Sequence, residues 1–256
     1  MQCPDSADLL EDGQYVSFAS AEQFFSNLRM FRKTMVCCTI PASIEEIGDG
    51  CFSGCSSLSR VTFASGSAVR RIGKEAFREC RKLSEIEIPA SVEDIGEACF
   101  SGCFSECANL ASVTFLPGSS LKGIEKEAFE ECKNLREMEI PAGVESLGDL
   151  CFSGCAGLRT INIPDSVESL GYCCFYECAG LQTINIPDSV KSLGESCFYG
   201  CAGLHTINIP NSVKSLGDCC FWGCAGLRNV SVPAHTKRGR CCFDKCHPQL
   251  QISKRL

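Results

Sequence analysis

The chain has 256 residues, 45% of them apolar and 21% charged, with a formal net charge of -7. That composition belongs to a folded, water-soluble protein and not to a disordered one, and the negative balance argues against the broad basic footprint that nucleic-acid binding requires. No apolar run is long enough to span a bilayer as a helix, so neither nucleic acid nor a membrane span is expected.

Residues 1–34 stand apart from the rest of the chain. Ser20 with Gln23 has the spacing of a capping box, and Phe24, Leu28, Phe31 and Met35 fall on one helical face. That pattern predicts a short amphipathic helix over 21–33 that lids the open end of the next unit. The start lacks the basic residues and apolar stretch of a secretory signal. Together with 23 cysteines this points to a reducing, cytoplasmic location. A cell-surface location is the alternative if the sequence is a piece of a longer protein or is exported unconventionally.

From residue 35 to 232 the chain repeats. Ile161-Asn162-Ile163-Pro164-Asp165-Ser166-Val167 returns at Ile184 and again, with Asn211 for Asp, at Ile207; Pro164, Pro187 and Pro210 follow at 23-residue steps. Counted from each proline, Val or Ile stands at three, Ile or Leu at six, Gly at seven, Phe at eleven and Cys at fourteen. Pro41, Pro89 and Pro141 open further copies. Two copies carry two extra residues each, in Ala64-Ser65-Gly66-Ser67 and Leu116-Pro117-Gly118-Ser119, which have loop composition. A four-residue insert doubles the Phe-to-Cys step at Phe100, Cys103, Phe104 and Cys107. After Pro233 the template decays, so 233–256 is expected to be a degenerate capping repeat.

Alternation in Leu158-Arg159-Thr160-Ile161-Asn162-Ile163 has period two, which predicts a strand with Ile161 and Ile163 inward and Thr160 and Asn162 outward. Proline ends that strand because it has no N-H for a ladder. The glycine then permits a tight corner. Ordering 23 residues costs about 1 to 2 kcal/mol per residue, which no single copy can recover while its apolar side is exposed. Copies must therefore stack, with strands in parallel about 4.8 Å apart and the Phe spine (Phe152, Phe175, Phe198, Phe221) inside. About ten rungs would make a rod roughly 45 Å long.

Leu-x-x-Ile-x-Ile-Pro, Ser-Val-x-x-Leu-Gly and Cys-Phe-x-x-Cys-x-x-Leu together resemble the BspA-like class of leucine-rich repeats over about residues 35–252. The resemblance implies an α/β-type solenoid: a curved rod with a parallel β-sheet on its concave face, short turns or 3-10 segments elsewhere, and a binding role. Proteins of that class occur in anaerobic bacteria and parasitic protists, often as adhesion-like surface molecules. It brings no catalytic residues with it.

The cysteines follow the repeat. Cys132, Cys155, Cys178, Cys201 and Cys224 share one template position and Cys151, Cys174, Cys197 and Cys220 another. Equivalent positions on neighbouring rungs lie about 4.8 Å apart, beyond the roughly 3.8 Å between Cβ atoms that a disulfide prefers. A ladder of buried free thiols is expected, each packing and capping backbone groups. Cys241, Cys242, Cys246 and His247 form the one grouping that could hold zinc, at a spacing unlike paired Cys-x-x-Cys sites. His205 occupies a variable rim position and is expected to be solvated. No nucleophile elbow and no phosphate-cradling loop is present, so no enzyme activity and no cofactor is expected.

The outward strand positions run Arg60 and Thr62, Glu85 and Glu87, Ser112 and Thr114, Glu137 and Glu139, Thr160 and Asn162, Thr183 and Asn185, Thr206 and Asn208, Asn229 and Ser231. One half is acidic and the other is neutral amide and hydroxyl. In-register Asn and Thr could simply bond rung to rung and stiffen the sheet. The alternative is a protein-binding face, for which a strip of about 700 Å² approaches the roughly 800 Å² per side of a standard interface. Basic Lys237, Arg238, Arg240, Lys245, Lys254 and Arg255 gather at the far end, and near-identical copies leave end-to-end self-association as a structural alternative.

Overall fold

A computed structural model describes residues 15–16, 32–101 and 110–255. Each copy is one turn of a coil, and about nine turns stack as a parallel β-solenoid. Three sides recur. The first carries the expected strand, such as Thr160–Asn162; the second carries a two-residue strand, such as Ser169–Leu170; the third is a run of turns holding the Phe and Cys positions.

All pairing is parallel and in register. On the first side Glu137, Thr160 and Thr183 are successive partners. On the second, nine strands run without a break from Glu46–Ile47 to Lys237–Arg238, with Leu147, Leu170, Leu193 and Leu216 in one inward column. The first sheet is interrupted once. One piece ends at Thr183–Asn185 and another begins at Thr206–Asn208.

Two expectations need correction. The described residues contain no helix, so the fold is a β-solenoid and lacks the α/β character expected of it. The third side shows why. Leu150, Phe152 and Gly154 donate their N-H groups to the carbonyls of Tyr172, Cys174 and Tyr176 on the next turn, at 2.8, 2.9 and 2.7 Å. Those bonds alternate with local ones from Cys151, Ser153 and Cys155 to the carbonyls three residues back, so every second N-H leaves the segment and no continuous helical ladder can form. They are set by left-handed backbone at the second residue before and after each Phe: Leu150 and Gly154 have φ of 58° and 72°, and Cys173 and Glu177 of 52° and 53°. The helix expected over 21–33 lies outside the described residues except for Arg32 and Lys33, which sit in a turn; the four-residue insert at Cys103–Cys107 also lies outside them.

The glycine at the second corner is the second correction. It is required by close approach: a Cβ on Gly194 would sit 2.4 Å from the carbonyl oxygen of Gly171 on the preceding turn. Gly48, in the first complete turn, has nothing within 4 Å of that position.

The core is columnar. Phe52, Phe77, Phe100, Phe129, Phe152, Phe175, Phe198, Phe221 and Phe243 stack with centroids 5.0 to 5.5 Å apart and planes within 3 to 8° of parallel. Each fully buried ring contributes about 1.5 to 3 kcal/mol of transfer free energy. The spine continues to Phe243 although the sequence brings that residue one place early. The loops at Gly66 and Gly118 turn on left-handed glycines with φ of 74° and 78°, leaving Leu116 40% exposed.

Candidate functional site: the outer face of the first sheet

Strand alternation puts every residue of the expected binding face on one side of the sheet. Glu85, Glu87, Glu137, Glu139, Thr160, Asn162, Thr183, Asn185, Thr206 and Asn208 are exposed, and Arg60 is half-buried. Between them, Ile86, Val113, Met138, Ile161 and Ile207 point into the core. Arg60, Glu85, Ser112, Glu137, Thr160 and Thr183 therefore form one continuous column.

The charges on this face are barely compensated. Arg60 bonds Glu85 at 3.1 Å, but among the described residues Glu87, Glu137 and Glu139 have no ion-pair partner. Two turns separate Glu87 from Glu139, a distance of about 10 Å at the usual strand spacing. The second sheet behaves oppositely. Over its first five turns neighbouring turns carry opposite charges, and Arg71 with Glu46 and Asp49, Arg70 with Glu93, Lys74 with Glu97, and Lys122 with Glu145 join turn to turn; beyond Glu145 the same positions are Glu168, Lys191, Lys214 and Lys237, which form no ion pair among the described residues.

The amide half is also open. Thr39 and Thr62 share a hydroxyl hydrogen bond at 2.9 Å, the rung-to-rung ladder in miniature. No such bond links the side chains of Thr160, Thr183 and Thr206, or of Asn162, Asn185 and Asn208, among the described residues. Their donors and acceptors face solvent.

The thiols behave as the repeat pattern predicts. Cys151, Cys155, Cys174, Cys178, Cys197, Cys201, Cys220 and Cys224 are all buried free thiols. Cys155, Cys178, Cys201 and Cys224 donate Sγ-H to the carbonyls of Phe129, Phe152, Phe175 and Phe198 at 3.1 to 3.2 Å. Each carbonyl also accepts from its own turn, as Phe152 does from the N-H of Cys155 at 3.1 Å. Burial pushes Cys151, Cys174, Cys178 and Cys197 well above the ordinary thiol range, and Cys51 and Cys55 up to about 12 and about 11. Cys151, Cys174, Cys178 and Cys197 are therefore inert, protonated core groups.

The candidate zinc ligands do not converge. Cys241 is exposed, Cys242 is buried, Cys246 donates to the Phe221 carbonyl at 3.1 Å, and His247 Nδ1 accepts from the N-H of Gln249 at 3.1 Å. Among the described residues no three His, Cys, Asp or Glu side chains are grouped as metal ligands. No helix there is long and apolar enough to cross a membrane.

A shallow depression of about 340 Å³ lies on the neutral half, over the interruption in the first sheet. Nothing in the sequence announces it, because Asn229, Ser231, Gln251 and Ser253, which help line it, are ordinary outward positions there.

The BspA type leucine rich repeat region matches in six copies over residues 29–122, 101–165 and 122–250. The chain belongs to the BspA-type leucine-rich repeat family. A leucine rich repeat protein of T. pallidum is 32% identical, over 66% of this chain and 78% of that one, with a TM-score of 0.60. A leucine rich cell surface protein from Faecalibacterium prausnitzii is 25% identical, over 86% and 79%, with a TM-score of 0.41. The pneumococcal vaccine antigen PcpA is 22% identical, over 87% and 69%, also at 0.41. No curated protein matches. BspA-type membership thus accounts for the coil and its columns.

Proposed function

We propose that this protein is a non-enzymatic, adhesion-like recognition scaffold that binds a protein partner on the outer face of its first sheet. One observation carries the reading: over the turns that bear Glu87, Glu137 and Glu139 the second sheet pairs most of its charges turn to turn, whereas the first leaves those three glutamates without an ion-pair partner, and its Thr and Asn columns from Thr160 to Asn208 have no rung-to-rung side-chain bond among the described residues. Stability does not call for three unpaired glutamates gathered on one face, since neighbouring like charges repel. A partner with basic residues about 10 Å apart would match them. The free thiols of the core favour a reducing compartment.

The test uses the intact chain and a Glu87→Lys, Glu137→Lys, Glu139→Lys variant as immobilised baits. Proteins held by the first and lost by the second, with melting temperatures within about 2 °C of each other, support the reading. Identical capture by both removes the acidic half as the binding surface.

A further inference from the structure

The gap in the first sheet is confined to one side of the coil. Across the same two turns the second sheet is intact, with Ser192 opposite Ser215 and Leu193 opposite Leu216, and Phe175, Phe198 and Phe221 stack at 5.4 and 5.2 Å. Two further signs mark the gap. Ser91 and Ser189 donate Oγ-H to the Val69 and Val167 carbonyls of the preceding turn at 2.7 and 2.6 Å, and Ser166 bonds Val144 likewise. Ser212, the next in that column, has a buried Oγ with no hydrogen-bond partner among the described residues. Ile184 is half-buried where its equivalents Ile161 and Ile207 are 5% exposed. The turn that carries Thr206–Asn208 therefore stands away from the one before it along this side alone.

The depression over this gap is walled by Thr183, Thr206, Asn208, Asn229, Ser231 and Gln251, and the half-buried Ile184 adds to its lining. Its walls are uncharged, and every polar side chain in them both donates and accepts. A charged ligand would lose hydration there without a counter-charge, a cost that a neutral ligand escapes. An extended peptide is a poor match: its same-side groups recur about every 6.6 Å, against about 4.8 Å between turns. Adjacent hydroxyls on a small ring, each donating and accepting, suit this lining.

We propose that the depression is a binding site for a neutral carbohydrate, as a free saccharide or as a glycan carried by another protein. It shares a face with the protein-binding surface but none of its glutamates, so each can fail without the other.

The test is calorimetric titration of the intact chain with neutral trisaccharides built from glucose, galactose, mannose or N-acetylglucosamine. A second arm uses a glycoprotein bearing the best-bound sugar, before and after enzymatic deglycosylation. At least one trisaccharide is expected to bind. An Asn208→Ala, Asn229→Ala variant, whose fold is checked by its melting temperature, is expected to bind it at least about ten-fold more weakly. The Glu87, Glu137 and Glu139 reversals are expected to leave that affinity unchanged. Binding by the glycoprotein that deglycosylation abolishes assigns the site to attached glycans, and binding by free sugar alone assigns it to free saccharide. No binding by any probe at millimolar concentration, or affinity unaltered in the Asn208 and Asn229 variant, overturns the proposal.

Discussion

The two sheets of this coil are built by the same turns, yet from Glu46 to Glu145 they treat their surfaces in opposite ways. The second sheet has the shorter strands, and it holds its turns together by backbone contact and by ion pairs such as Arg70 with Glu93 and Lys122 with Glu145. The first has longer strands and more ladder bonds to hold it, and its outward side chains take little part in stacking. One surface is committed to the fold and the other is spare. That division explains why a tightly repeated chain can still vary Arg60, Glu85, Ser112, Glu137 and Thr160 within a single column.

The contrast can be broken most severely at the second corner. Replacing Gly194 with Ala drives a Cβ to 2.4 Å from the Gly171 carbonyl oxygen, and should cost about 3 kcal/mol by forcing two turns apart. Asn162→Ala, on the spare face, should change stability by less than about 0.5 kcal/mol. Chemical denaturation of both variants measures the difference; similar losses would mean that the first-sheet face is structural after all.

The thiol columns, on the side the sheets do not use, give a pH prediction. Burial raises the folded-state value of Cys55 to about 11 and of Cys51 to about 12, against about 8.5 for an unfolded thiol. A raised value means that the contribution is fully present below the unfolded value and disappears as pH climbs through the folded one. Melting temperature should therefore be level up to about pH 8 and fall steadily between about pH 9 and 12. A level profile to pH 11 would show that these thiols ionise without resistance and are not in the core.

Much of this is legible in the residues. The 23-residue step, the Phe at a constant place and the outward Thr and Asn positions prescribe parallel stacking, because no single copy can bury its own apolar side. The second sheet is not legible, because strands of two residues, such as Glu46–Ile47, are too short to show alternation. The left-handed positions are masked by chemistry: Gly50 and Gly54 announce them in one turn, but Glu75, Glu79, Leu150 and Cys173 fill them elsewhere with the same backbone. The corner glycine reads in sequence as conformational freedom, whereas the deciding factor is a neighbour one repeat away. The gap beside Thr206 cannot be read at all, since the turns on either side of it have nearly the same sequence.

The smallest expected effect tests the central claim most directly, because it needs no partner. Two triple variants are melted side by side at low ionic strength: Glu87→Gln, Glu137→Gln, Glu139→Gln on the first sheet, and Glu46→Gln, Glu93→Gln, Glu145→Gln on the second. Exposed ion pairs contribute from about 0 to 1 kcal/mol each, so the second-sheet variant should melt about 2 to 4 °C lower. The first-sheet variant, relieved of repulsion and deprived of no partner, should melt at the same temperature or higher. A drop in the first-sheet variant as large as that in the second would contradict the account, since those glutamates would then be part of what holds the coil together.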